Sequence, residues 1–260
     1  MKKIRKTSFG VMVPTCLLIA LFIATTIYIP ATAMKKTTAQ ISSKELPIYC
    51  VGTSEKKVAI SFDAAWGNED TATLLEILDR YQVKATFFMT GGWIESYPDD
   101  VKAIAQAGHD LGNHSENHKQ MSRLSKSECI DEIMKPHNKV SDITGDNMCL
   151  FRPPYGDYND TLINAVKECG YYPIQWDVDS LDWKDYGADN IVNTVLNHKN
   201  LGNGSIILMH NGAKYTKDAL PRIIEGLQEK GYEIVPISQL ILSENYTIDH
   251  TGRQIKKNNE

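Results

Sequence analysis

Short apolar runs alternate with longer amphipathic stretches from Lys57 to Leu242, and this alternation restricts the fold more than any single motif does. The runs at 58–62, 85–89, 110–112, 150–152, 172–176, 205–209 and 233–235 have strand length. The stretches between them, at 71–81, 98–107, 126–144, 161–169, 190–198 and 219–230, carry apolar residues at helical spacing. Gly108, Gly170 and Gly231 stand where three of these helices should end, as glycines that take the left-handed conformation do. Pro136 is expected to interrupt and kink the helix around it. Strands separated by helices cannot pair as hairpins, so they form a mainly parallel sheet covered by helices. About seven such strands predict a single α/β domain, either an open sheet or a barrel.

The flanks of this domain have a different character. Lys2, Lys3, Arg5 and Lys6 are the only charged residues before Lys35, and an apolar run follows them from Phe9 to Ile29. The basic end should stay cytoplasmic and the rest of the chain should lie outside. Ala31-Thr32-Ala33 has the small-x-small form of a cleavage site, yet a run of roughly 20 residues is also long enough to span a bilayer. Residues 1–33 therefore read as a signal peptide or a membrane anchor. Residues 34–50 read as a polar linker, 51–245 as the domain, and 246–260 as a polar tail whose last residues, 253–260, are expected to be disordered. This arrangement puts the domain at the extracellular face of the membrane or in secreted form.

With an isoelectric point near 6.0 no basic surface dominates, which argues against a nucleic-acid partner. Cys50, Cys129, Cys149 and Cys169 show no paired spacing of the zinc-binding kind. They read as isolated buried thiols, with a Cys129–Cys149 bridge left open. Nothing in the sequence sets an oligomeric state.

Parallel α/β folds gather their active sites at the carboxyl ends of the strands. Reactive side chains fall there repeatedly in this sequence. Asp63 follows the first run, His114 and His118 the third, and Arg152-Pro153-Pro154-Tyr155-Gly156 closes the fourth. Asp177, Asp179, Asp182 and Trp183 follow the fifth, and His210 follows the sixth. On a helical turn, histidines four apart share a face and can share a metal ion. Singly, each residue has a plainer role open to it. Asp63 could cap a helix, His210 could be a hydrogen-bonded rim histidine, Arg152 could tie loops together, and the aspartates could form a solvated loop. Their joint arrangement is what favours catalysis.

In this order, the groups resemble those of the polysaccharide deacetylases of the NodB-homology type (carbohydrate esterase family four). Ser61-Phe62-Asp63-Ala64 stands where the family has Thr-Phe-Asp-Asp, and His114-Ser115-x-x-His118 matches its metal-binding pair. The Arg152 to Gly156 run, Asp179-x-x-Asp182-Trp183 and Leu208-Met209-His210 match its third, fourth and fifth motifs. The resemblance implies a distorted (β/α) barrel and metal-dependent removal of N-acetyl groups from an extracellular glycan, with peptidoglycan or a related N-acetylated polymer as substrate. It further implies Asp63 as general base, His210 as general acid, and His114 and His118 as ligands to a divalent metal ion, zinc being expected. Arg152 would orient Asp63, Asp182 would tune His210, and the Tyr155 N–H would meet the oxyanion. Trp183 and Leu208 would enclose the acetyl methyl group.

One position departs from the pattern. The family's second aspartate, its third metal ligand, is Ala64 here, in a phrase (Phe62-Asp63-Ala64-Ala65-Trp66-Gly67) similar to a variant among sporulation-type bacterial deacetylases. Water could complete a two-histidine site, or Asp63 could move onto the metal. The third reading is weak metal binding, which would make the chain a glycan-binding pseudoenzyme.

Overall fold

The computed structural model describes residues 45–257. The predicted signal or anchor, 1–33, and most of the 34–50 linker lie outside the described residues. Among those described, no helix is long and apolar enough to cross a membrane.

The strands in chain order are β1 (Cys50–Val51), β2 (Lys57–Ala64), β3 (Thr86–Met89), β4 (Asp110–Asn113), β5 (Leu150–Phe151), β6 (Tyr172–Pro173), β7 (Val178–Asp179), β8 (Ile206–His210), β9 (Glu233–Ile234), β10 (Tyr246–Ile248) and β11 (Arg253–Lys256). Seven of them run parallel in the order β6-β5-β4-β3-β2-β8-β7, and β9 joins the first residues of β2. The sheet curls into the distorted (β/α) barrel that the sequence implies. Every stretch expected to be helical contains a helix, including Thr71–Arg80, Lys126–Thr144 and Thr216–Glu229. The helix at Lys126–Thr144 begins in a capping box between Ser125 and Glu128 and ends at Gly145, whose φ is 81°.

Strand alternation divides the core in two. Ile60, Phe62, Phe87, Met89, Ile207 and Met209 belong to the larger apolar cluster, which the helices complete. Phe62 stacks on Phe87 at 5.0 Å between ring centroids, and burying one such side chain contributes roughly 1.5–3 kcal/mol. The intervening residues Ala59, Phe88 and Ile206 belong to a second, smaller cluster. With a side-chain period of two, Asp63 shares its strand face with Ala59, and His210 shares its face with Ile206.

Several expectations need correction. The helix runs unbroken through Pro136. The proline's missing N–H leaves one helical bond unmade, but Cys129, Ile133, Pro136 and Val140 are all buried, and the helix continues past it. The polar tail is not structureless, because β10 and β11 pair antiparallel and β11 pairs with β1. Its polar character hides Gln254, which is fully buried and exchanges two hydrogen bonds with the backbone of Leu242 at 2.7 Å each. The end of the linker is structural too. Ile48 accepts a bond from Gln175 N and donates one to Pro173 O, while Cys50 bridges Ser205. The segment before β2 thus reaches from the β6 edge to the start of β8. All four described cysteines are free thiols; Cys50 and Cys129 are buried as expected, whereas Cys149 is exposed.

Candidate active site

A cavity of about 440 Å³ opens at the carboxyl ends of the strands. Every sequence-predicted site residue lines it except Arg152 and Asp182, which stand behind Asp63 and His210. The parallel pairing of β2 with β8 puts Asp63 in register with His210, so the two reactive groups arrive side by side.

Asp63 is almost fully buried, and its Oδ1 accepts a 2.8 Å bond from Arg152 Nη1. Burial pushes its pKa up, but the charges of Arg152, His114 and His210 outweigh burial and hold the carboxyl below its ordinary value. Arg152 is itself fixed. Its Nη2 donates to Gln175 O, and the guanidinium lies 4.1 Å over the Phe88 ring. Asp63 is therefore a carboxylate with one oxygen engaged and the other turned to the histidines.

His210 has the opposite setting. Burial acts to lower its pKa, but Asp182 and the neighbouring carboxylates overcome this and raise it. Asp182, fully buried, accepts from His210 Nδ1, from the His210 backbone N–H and from Thr216 Oγ1, at 2.6 to 2.7 Å. With Nδ1–H committed to Asp182, the Nε2 edge of the ring is the one left free to exchange a proton.

His114 and His118 do meet, with ring centroids 5.0 Å apart, though not on the helical turn that their spacing suggests. Ser115 and His118 both have positive φ, 65° and 52°, and the chain between them is a loop. Side chains supply the turn geometry. Asn113 Oδ1 accepts from Ser115 N, Ser115 Oγ accepts from His118 N, and buried Glu132 takes both Asn117 N and Asn117 Nδ2. His114 Nδ1 lies 2.7 Å from the Arg152 carbonyl oxygen, which can only accept, so Nδ1 carries the proton and Nε2 presents a lone pair. Burial lowers the His114 pKa to about 4, and that of His118 is lowered by burial as well.

The His114 Nε2 lone pair thus faces Asp63 Oδ2 at 3.5 Å, with no proton between two acceptors at neutral pH. Two neutral imidazoles beside an anionic oxygen fit a divalent cation. Among the described residues no group of three or more His, Cys, Asp or Glu side chains is arranged to hold a metal. By the resemblance, His114 and His118 would be its protein ligands, with water or Asp63 completing the shell. Ala64 is fully buried in the larger apolar cluster, whereas Ala65 lines the cavity.

Tyr155 occupies the left-handed region at φ 60°, ψ 8°, a conformation that costs a non-glycine residue about 1–3 kcal/mol. Its ring is two-thirds exposed and packs edge-on to His118 at 4.5 Å. Buried Leu208 and half-exposed Trp183 also line the cavity. Sequence reasoning assigned no role to Ala65, Trp66 or Trp176, all of which line the cavity. A tryptophan just beyond a strand end was the available signal for Trp66. Asp179 also reaches the cavity. Asp177 instead pins the chain to β8 through Ile206 N and Ser205 Oγ, the plainer of the roles open to the aspartates.

The model of the polysaccharide deacetylase family matches residues 51–174. A peptidoglycan-N-acetylglucosamine deacetylase of Bacillus cereus is 35% identical over 74% of this chain and 91% of its own length. This chain belongs to the polysaccharide deacetylase family. Within the family, the peptidoglycan-N-acetylmuramic acid deacetylase PdaC of Bacillus subtilis is 35% identical over 73% of the chain. The chain spans 40% of the length of that relative, and 60% of an uncharacterized Bacillus subtilis protein, YlxY. Among solved polysaccharide deacetylase structures, a CE4 family pseudoenzyme from Bacillus anthracis superposes with a TM-score of 0.72 at 34% identity, covering 75% of this chain and 68% of that one.

Proposed function

We propose that this protein hydrolyses N-acetyl groups on a glycan of the bacterial envelope, with peptidoglycan as the substrate. The observation that carries the reading is the pairing of Asp63 and His210. They are in register on one cavity wall, and their surroundings favour a charged carboxylate and a protonated imidazole at the same pH. Hydrolysis of an amide needs that combination, because water must lose a proton as it attacks and the departing nitrogen must gain one.

In this mechanism Arg152 holds Asp63 in place while its free oxygen takes a proton from the attacking water. The water oxygen bonds to the acetyl carbon, and the backbone N–H of Tyr155 stabilises the oxyanion. His210, steadied by Asp182, donates its Nε2 proton to the nitrogen, the C–N bond breaks, and acetic acid and a free amine leave. Trp183 and Leu208 enclose the methyl group. A divalent cation on His114 and His118, zinc by expectation, would supply Lewis acidity at the acetyl oxygen. Export through residues 1–33, cleaved or retained as an anchor, would bring the domain to this substrate.

A second reading is favoured by one observation, the alanine at position 64. It would make the chain a glycan-binding pseudoenzyme, and the similar Bacillus anthracis structure is described as a CE4 family pseudoenzyme. Acetate release from purified peptidoglycan with added zinc decides between the two. Release that disappears in Asp63→Asn supports hydrolysis; its absence from a folded, zinc-loaded wild-type protein leaves the binding reading.

A further inference from the structure

Trp66 is 60% exposed, although an indole carries enough apolar surface to make exposure unfavourable. It is not a loose side chain on a mobile loop. The residues on either side are anchored, since Thr90 N donates to Ala64 O at 3.1 Å and the buried Trp93 donates its Nε1–H to Gly67 O at 2.9 Å. The ring lies 5.9 Å from that of His118 and 6.3 Å from that of His210, beside both of these histidines, whose predicted roles differ. Of the five large hydrophobic side chains exposed among the described residues, Trp66, Tyr155 and Trp183 all border this one cavity. An exposed apolar patch concentrated at a cavity mouth marks a ligand contact. Trp183 is partly engaged already, with the Lys184 ammonium 5.0 Å over its ring.

We infer that Trp66 is the platform on which the pyranose ring of the acetylated sugar stacks, and that it determines affinity for a sugar chain. A pyranose presents a face of axial C–H bonds, which is apolar and matches an indole, while its hydroxyls stay in water. Stacking there places the sugar over the cavity and leaves its N-acetyl group to enter between His118 and His210. The inference rests on the glycan reading given above and adds to it a residue to which that reading assigns no part in the chemistry.

The test is calorimetric titration of the full chain with an N-acetylglucosamine tetramer, made in an Asp63→Asn background so that the oligomer is not consumed. Adding Trp66→Ala should weaken binding roughly tenfold, and Trp66→Phe, which keeps a ring face, should recover part of the loss. Trp66→Leu, which keeps apolar bulk without a ring, should not. In otherwise wild-type protein the loss should fall on KM more than on kcat. Equal affinity in the Ala and parent proteins would overturn the platform while leaving the glycan reading intact. No binding by the folded parent protein would overturn the glycan reading and the platform with it. Circular dichroism of each variant confirms that the comparison is between folded proteins.

Discussion

Asp63 and His210 are register partners on adjacent parallel strands, and their environments drive their proton equilibria apart. A raised His210 pKa keeps the imidazole protonated as pH climbs past its ordinary value, about 6.5. The alkaline limb of kcat/KM should therefore lie above that value. Asp182 is the partner that raises it, so Asp182→Asn should let burial dominate and move the limb to lower pH. A pH–rate profile checks this, and an unmoved limb would remove Asp182 from the tuning role.

Asp63→Asn removes the proton acceptor and His210→Ala the donor. Each should lower kcat by roughly 10²–10⁴-fold while glycan affinity largely survives. Steady-state kinetics on acetylated oligomers beside a binding titration separates the two effects. A variant at wild-type rate contradicts the assignment for that residue.

His114→Ala and His118→Ala should each weaken zinc binding, since each removes one of two imidazole ligands. Ala64→Asp restores the residue type that the family carries there as its third metal ligand and should tighten zinc binding. Zinc titration of the wild-type protein and of Ala64→Asp is the measurement, with thermal denaturation to confirm that the variant folds. Equal affinity in the two proteins would mean that another residue, Asp63 first, already completes the shell.

Glu132 should tie stability to pH. Burial pushes its carboxyl up, but Lys119 and the two Asn117 donors outweigh this, and its pKa lies below the ordinary 4.5. The native state then binds fewer protons than the unfolded chain near that pH. The stabilisation is complete above the unfolded value and is lost as pH falls through the native one. Glu132→Ala should cost about 1–3 kcal/mol at neutral pH and flatten the acid dependence, as urea denaturation at several pH values would read. An unchanged midpoint at neutral pH would show that the histidine loop is held without it.

The parallel α/β sheet was legible because its signal is periodic: residues 58–62 and 205–209 have strand length, and the parallel direction followed from the helices between the runs. The choice of a barrel over an open sheet came from the family resemblance. The histidine loop was not legible, since Ser115 and His118 adopt positive φ only with Asn113, Ser115 and Glu132 bonding around them. Spacing alone suggests a helical turn. The small sheet of β1, β10 and β11 escaped for a related reason. Its strands are only two to four residues long, β11 is largely polar, and Gln254 is buried through hydrogen bonds rather than apolarity. Asp63, His210 and the histidine pair could be found as chemistry at strand ends, while Ala65 and Trp66 emerged only once the β2 end had a direction in space.

The pairing of Cys50 and Val51 with Arg253 and Gln254 has a mechanical consequence. This small sheet sits beside Ser205, at the start of β8, and His210 lies at the other end of that strand, roughly 16 Å away. The chain from Glu45 is held by Asp160 and by the bridge of Ile48 to Ile174 before it reaches β1, so tension from that side would load the β6 edge first and β1 after it. A fusion made beyond β11 would pull on the small sheet, at the end of the barrel opposite the catalytic residues.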